Sequence, residues 1–253
     1  MSADPYTTAV PSLRQRRRAV ATQEIVEAAE RYIAEHGPHA LSLRGVARNL
    51  GMTVQGLYHY FPNRDALLTM LVTKAYRDLA DAVTAAVDTA ADESAEVRFM
   101  AATEGYRRWA ITHVERFQLL YGAPLPRYAA PHDGPTTQAM RRMCEIFQYE
   151  MFDGFTTAQL AAADTRGLSP ALEAHLEPLF PHGPETLPPP ATALLLGAWG
   201  HLHGMVVLEV FGHTSFIGEH QAEIFRMAMR ALLEDIHRRI PAQPERPMTP
   251  ATA

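Results

Sequence analysis

The sequence predicts an all-α protein in which a small N-terminal domain, carrying a helix-turn-helix, precedes a larger helical domain. Three observations carry this reading. Between Ser42 and Leu68, two short apolar-periodic segments flank Gly51-Met52-Thr53. From about Ala95 onward, apolar residues recur at helical spacing almost throughout. Charge is also divided along the chain: Arg14 to Arg64 holds eight Arg against four Glu, whereas from Asp65 on 15 Lys/Arg face 23 Asp/Glu. The net charge of −5 therefore conceals a basic end on an acidic body, as expected of a nucleic-acid-facing segment.

With 253 residues the chain has room for one large or two ordinary domains. Its 47% apolar and 20% charged residues are ordinary for a soluble globular protein. The 19 prolines cluster between segments and at the C-terminus, so they punctuate helices rather than forbid them. A lone cysteine, Cys144, excludes an internal disulfide and a cysteine-based metal site. The longest apolar stretches are interrupted by Gly, His or Glu, which predicts no membrane-spanning segment. Basic residues near the N-terminus are not followed by an apolar run, so no secretory signal is expected and the cytoplasm is the default.

Residues 1–13 read as a disordered leader. A first helix spans about Gln15 to Glu35, burying Ile25, Ala29, Tyr32 and Ile33 and ending at His36-Gly37-Pro38. It opens on Arg14-Gln15-Arg16-Arg17-Arg18, either a phosphate-following basic arm or a solvated helix start. Leu43, Val46, Ala47 and Leu50 fall at i, i+3, i+4 and i+7, which is one helical face, with Ser42 placed to cap it and Gly51 to end it. Thr53 can cap a second short helix whose inward residues are Leu57, Tyr58 and Phe61. Helix, short glycine-containing turn, helix is the arrangement whose second helix enters the DNA major groove.

A fourth helix runs from near Asn63 to Ala86 or beyond, and acidic, polar Asp88 to Glu96 marks a boundary or loop. Phe99, Ala102, Tyr106, Trp109 and Ala110 then suggest one helix, and Phe117, Leu120 and Tyr121 a short one. Four Pro and two Gly within 122–135 require an irregular loop. Met140, Met143, Cys144, Phe147, Met151 and Phe155 share a broad face, and a Pro-rich connection from Pro178 to Pro190 precedes a helix over Thr192 to Phe211. The last helix carries Ile224, Phe225, Ala228, Leu232 and Ile236, and a flexible tail follows from 241. The domain boundaries read as leader 1–13, helix-turn-helix domain 14–65, helical regulatory domain 66–240 and tail 241–253.

Gly51-Met-Thr-Val-Gln-Gly-Leu-Tyr-His-Tyr-Phe-Pro-Asn-Arg-Asp-Ala-Leu-Leu68 resembles the DNA-binding domain of the tetracycline-repressor (TetR) family, and Glu24 to Gly37 resembles that family's first helix. Met52 and Arg64 depart from the commoner Val and Lys. Arg64 would hold a phosphate with a planar fork rather than a point charge. The resemblance implies that Thr53, Tyr58 and Arg64 grip phosphate. Arg17, Arg18, Ser42, Arg44, Val54, Gln55 and His59 complete the DNA-facing candidates. Gln55 suits bidentate pairing with adenine and Val54 a thymine methyl, which makes these two the base readers. Gly56, where the family prefers a small residue, is expected to permit close helix packing.

Trp199-Gly-His-Leu-His-Gly204, with the Tyr-Gly-x-Pro-x-Pro stretch at 121–126, resembles the Trp-His-Gly signature of one TetR C-terminal domain group. That domain binds ligands and dimerises, so the resemblance implies a homodimer in which Gly197, Gly200 and Gly204 let paired helices approach closely. It also implies a palindromic double-stranded operator and a small-molecule effector, with no cofactor and no membrane partner. Tyr106, Trp109, Tyr121, Met140, Met143, Phe147, Met151, Trp199 and His203 are the cavity candidates, each of which could equally be core. His201 and His203 at i and i+2 point to different faces and cannot share a metal. Cys144 reads as an inert core thiol. No Gly-x-Ser-x-Gly elbow, phosphate loop, dinucleotide fingerprint or His-Glu-x-x-His is present. The expectation is a ligand-released repressor and not an enzyme. The alternatives are an activator, a ligand-independent DNA-binding protein or, in another class, a small-molecule-binding enzyme.

Overall fold

The computed structural model describes residues 12–123, 128–129, 134–177 and 187–242. Among them every regular element is helical, and they divide into two compact units. One contains the chain up to Arg77 together with His113–Ala139; the other contains Asp78–Thr112 and the chain from Met140 on.

In the first unit, α1 (Leu13–His36) starts two residues earlier than periodicity suggests. Its origin is a reciprocal cap: the Ser12 hydroxyl accepts from the Gln15 amide at 3.2 Å, and the Gln15 side chain accepts from the Ser12 amide at 2.7 Å. Leu13, expected in a disordered leader, is therefore helical, while most of the leader and tail lie outside the described residues. Gly37 closes α1 with φ of 78°, a conformation that disfavours any side chain. After a 3-10 turn, α2 (Leu43–Asn49) is capped by Ser42 and α3 (Val54–Tyr58) by Thr53. Asn63 Oδ1 accepts from the Ala66 amide at 2.8 Å, in the first turn of α4 (Arg64–Asp88).

Ile25, Ala29, Ile33, Val46, Leu57 and Leu68 centre the first unit's core, and Leu119 of α6 (Val114–Tyr121) joins it. The close approach of helices in this unit is made at Gly45, not Gly56. A Cβ on Gly45 would lie 2.5–2.9 Å from the end of the Tyr32 side chain, so a methyl there would require that ring to shift. A Cβ on Gly56 would meet only Thr53 and Met52, which precede its own helix, at 3.2 and 3.7 Å. Tyr58, expected to point inward, is 46% exposed, while its neighbour Leu57 is fully buried.

The second unit is built on α5 (Ala95–Thr112), which packs against α10 (Pro189–Val210) and α11 (Gln221–Arg239). Also present are α7 (Pro135–Phe152), which crosses from one unit into the other, and the short α8 (Thr157–Ala161) and α9 (Pro170–Leu176). Neither short helix is anticipated by periodicity. The buried stripe of α11 is Phe225, Met229, Leu233 and Ile236, whereas Ile224 of the expected stripe is 38% exposed.

The α10 helix runs unbroken through Gly197, Gly200, His201, His203, Gly204 and Glu209. By length and composition it is apolar enough to cross a membrane, correcting the expectation that such residues would interrupt it. Leu194, Leu195, Ala198, Leu202 and Val206 are buried within the unit.

A buried ion pair ties α5 to α10: Arg107 Nε and Nη2 donate to the two carboxylate oxygens of Glu209 at 2.7 and 2.5 Å. Its guanidinium also lies 5.6 Å from the centre of the Phe225 ring of α11.

Candidate functional site

The exposed face of α3 follows from its capping and its single buried anchor. Thr53 Oγ1 accepts from the Gly56 amide at 3.0 Å, fixing the first turn, and Leu57 turns into the core at 0% exposure. Gln55 and Tyr58, three residues apart, then share the opposite, solvent-facing side with His59. Val54 differs from this set: it is half-buried and packs against the core of the first unit.

Arg44 of α2 is exposed, and Ser42 is half-buried with its hydroxyl accepting from the Gly45 amide at 3.1 Å. Arg17 is exposed on the first turns of α1, beside the equally exposed Arg14 and Arg16. The remaining two arginines, exposed Arg18 and half-buried Arg64, each donate to a backbone carbonyl distant in sequence. Arg64 Nε donates to the Leu41 carbonyl at 2.9 Å, tying the start of α4 to the residue before the Ser42 cap. Arg18 Nη2 donates to the His59 carbonyl at 2.9 Å, and its guanidinium lies 5.4 Å from the Tyr60 ring centre. Sequence reasoning missed Gly45 and Tyr60, whose roles depend on partners distant in sequence.

In the second unit, Tyr106, Phe147, Trp199 and His203 form one aromatic cluster. The Tyr106 hydroxyl and His203 Nδ1 are 2.8 Å apart, and the His203 ring stacks on Trp199 at 5.1 Å between centroids and 13° between planes. Tyr106 meets Phe147 and Trp199 edge-on at 6.1 and 5.5 Å. Burial holds the His203 imidazole below its usual pKa, favouring a neutral ring with one acceptor nitrogen. His201, two residues away, is exposed.

Trp109, Met143 and Met151 are buried in the same unit, whereas Met140 is 39% exposed. Tyr121 belongs to the first unit, where it packs edge-on to Tyr76 at 5.9 Å and tilts against Phe117 at 5.2 Å. A cleft of about 300 Å³ opens in the second unit among Gln148, Tyr149, Phe152, Phe155, Leu160 and Leu187, and none of the sequence-predicted cavity residues lines it. Burial, with the nearby Glu145 carboxylate, pushes the Cys144 thiol up to about 11, so it stays protonated at neutral pH.

Two family models match the chain. Residues 25–71 match the one described as bacterial regulatory proteins, tetR family, and residues 99–232 match the one described as tetracyclin repressor-like, C-terminal domain. The HTH-type transcriptional regulator Rv1816 of Mycobacterium tuberculosis is 36% identical over 194 residues, covering 75% of this chain and 80% of its own. The regulatory protein SCO4313, known from a crystal structure, is 30% identical with a TM-score of 0.69, and the match covers 88% of this chain and all of the other. A protein of unknown function from Rhodococcus sp. RHA1 shares the fold at 21% identity and a TM-score of 0.62, over 92% of this chain and 99% of its own.

Proposed function

The chain belongs to the TetR family of DNA-binding transcriptional regulators, and from that premise we propose that it acts in the cytoplasm as a homodimeric repressor, released from a palindromic operator by a small apolar or amphipathic ligand. The observation that carries this reading is the exposed Gln55–Tyr58–His59 face of a capped helix whose opposite side, Leu57, is locked in the core. Thr53, Ser42, Arg44, Arg17, His59 and the outer nitrogens of Arg64 supply the phosphate side of the contact, which positions the protein but selects no sequence. Gln55 and Val54 read bases, Val54 through the part of its side chain that the core leaves open.

Footprinting on DNA flanking the protein's own gene, at two salt concentrations, tests the reading. A protected palindrome whose affinity falls with salt is the expected result; protection that is insensitive to salt would sink it. On that site Tyr58→Ala is expected to weaken binding about tenfold with the protein folded. Gln55→Ala is expected to change base preference more than overall affinity. Equal loss across all sequences would demote Gln55 to a backbone contact.

The dimer is supported by an unpartnered face on α10. Among the described residues, nothing beyond the backbone of α10 itself lies within 4 Å of where a Cβ on Gly197, Gly200 or Gly204 would stand, and Leu196 and Leu208 are 42% and 45% exposed beside them. On α11, Ile224 and Met227 are likewise exposed. A twofold interface places the same patch on both subunits, and paired half-sites require paired recognition helices. Gly200→Leu is therefore expected to raise the dimer dissociation constant at least about tenfold while leaving the fold intact. An unchanged dimer in sedimentation would remove α10 from the interface.

Release follows by linkage. A ligand that binds the second unit better in the state with mis-spaced recognition helices lowers DNA affinity by the same factor by which DNA lowers ligand affinity. The Tyr106–His203 hydroxyl–imidazole pair is the polar anchor of that site, in the company of Phe147, Trp199, Trp109 and the neighbouring methionines. Helix α4, continuous from Arg64 to Asp88, is the covalent path of the change.

A further inference from the structure

The recognition helix α3 is five residues long, far below the length at which a helix in water sustains itself. Both of its ends must therefore be held from outside. Thr53 holds the first turn. At the other end, the amides of His59, Tyr60 and Phe61 satisfy the carbonyls of Gly56 and Leu57. The carbonyl of His59, the capping residue, has no following turn to receive a bond from; it accepts instead from Arg18, 41 residues earlier in the chain. The same guanidinium lies against the ring of Tyr60, the next residue.

One planar cation thus makes an in-plane hydrogen bond and a ring contact at once, which a lysine ammonium cannot reproduce with a single geometry. A positive group at this end also suits the helix dipole.

We infer that Arg18, as exposed as its neighbour Arg17, is a positioning residue rather than a phosphate contact, clamping the C-terminal end of α3 onto α1 and so setting how Gln55 meets the bases and Tyr58 the phosphates. The inference rests on α3 being the base-reading helix. It differs from what a basic run at a helix start implies, since four arginines within five residues read alike in sequence and only one of them reaches the His59 carbonyl.

The test uses full-length protein and duplexes recovered by the unaltered protein from a random-sequence library, with a scrambled duplex as the non-specific probe. Affinities are measured across a salt series for Arg17→Ala, Arg18→Ala, Arg18→Lys, Tyr60→Leu and Gln55→Ala. Loss of a phosphate contact lowers the salt slope by about 0.9 per contact, on both duplexes. That is the result expected for Arg17→Ala.

Arg18→Lys keeps the charge, so its salt slope and its non-specific binding should hold, while specific affinity falls about tenfold. Tyr60→Leu should lower the specific-to-non-specific ratio in the same direction. Arg18→Lys binding like the parent would overturn the proposal, as would Arg18→Ala losing slope equally on both duplexes. A lowered melting temperature with an unchanged ratio would make Arg18 a stability residue alone, and would overturn it too. Gln55→Ala separates the two levels of the reading: unchanged base preference there sinks α3 as the reading helix. Altered preference beside an unaffected Arg18→Lys sinks only the clamp.

Discussion

Glu209→Ala is expected to lower the stability of the second unit by about 3 kcal/mol, because it strands a guanidinium in the interior. Arg107 is 8% exposed, and its fork is matched to both oxygens of Glu209 at 2.7 and 2.5 Å. Among the described residues the other carboxylate that holds it, Glu104, is 3.4 Å away and also bonds Arg226 at 3.3 Å, so it cannot replace a bidentate partner. The loss arises less from the pair's net attraction than from a buried charge left with only the long Glu104 contact. A double replacement, Arg107→Met with Glu209→Leu, should accordingly recover most of the stability lost in the single variant. Urea unfolding of the parent, the single variant and the double variant reads the effect. A loss under about 1 kcal/mol for Glu209→Ala would place the pair with exposed ion pairs, contrary to the burial seen here. Glu209 stands on α10, between the exposed Leu208 and the helix end, so the single variant is also expected to weaken the dimer proposed on that helix.

The fold was legible wherever an apolar stripe was long enough to count. Helices α4 and α5 appear near their predicted limits because Leu67, Leu68, Leu71 and Ala75, and Phe99, Ala102, Tyr106 and Trp109, repeat over several turns. Helices α8 and α9, of five and seven residues, give no such stripe, although each begins with a capping Thr or Ser. The cap that starts α1 has the Ser12-x-x-Gln15 spacing of a capping box, a signal that the reading of 1–13 as a leader does not use.

Helix α10 is apolar nearly all round, so periodicity marked it as a helix without choosing its buried side. Packing made that choice, turning Leu195 and Leu202 in and Gly197 and Gly200 out. The site was legible as a list but not as an arrangement. Tyr106 and His203 are 97 residues apart and Arg18 and His59 are 41 apart, distances over which no local pattern reports a contact. Tyr58 reads in the sequence both as an inward and as a DNA-facing residue; on a helix this short Leu57 takes the inner position and leaves Tyr58 exposed.

Gly105→Val is expected to cost about 3 kcal/mol by forcing apart helices that touch at their backbones. A Cβ at Gly105 would stand 2.8 Å from the Ala86 Cβ, 3.3 Å from the Val83 Cα and 3.4 Å from the Ala82 carbonyl oxygen. Two of these three atoms are main chain, so no rotamer change on α4 makes room and α5 must move as a body. Its packing leaves little freedom for that, since Phe99, Ala102 and Tyr106 on either side are at most 1% exposed.

The milder Gly105→Ala decides the sign. In an open helix the replacement would stabilise by about 1 kcal/mol, because glycine holds a helix poorly. Gly197→Ala, whose Cβ would meet no described residue outside its own helix within 4 Å, is the internal control for that gain in the isolated subunit. Chemical unfolding under conditions that keep the chain monomeric should therefore move the two alanine variants in opposite directions. A Gly105→Ala protein more stable than its parent would mean that α4 and α5 separate freely at this crossing, and that glycine here serves something other than close approach.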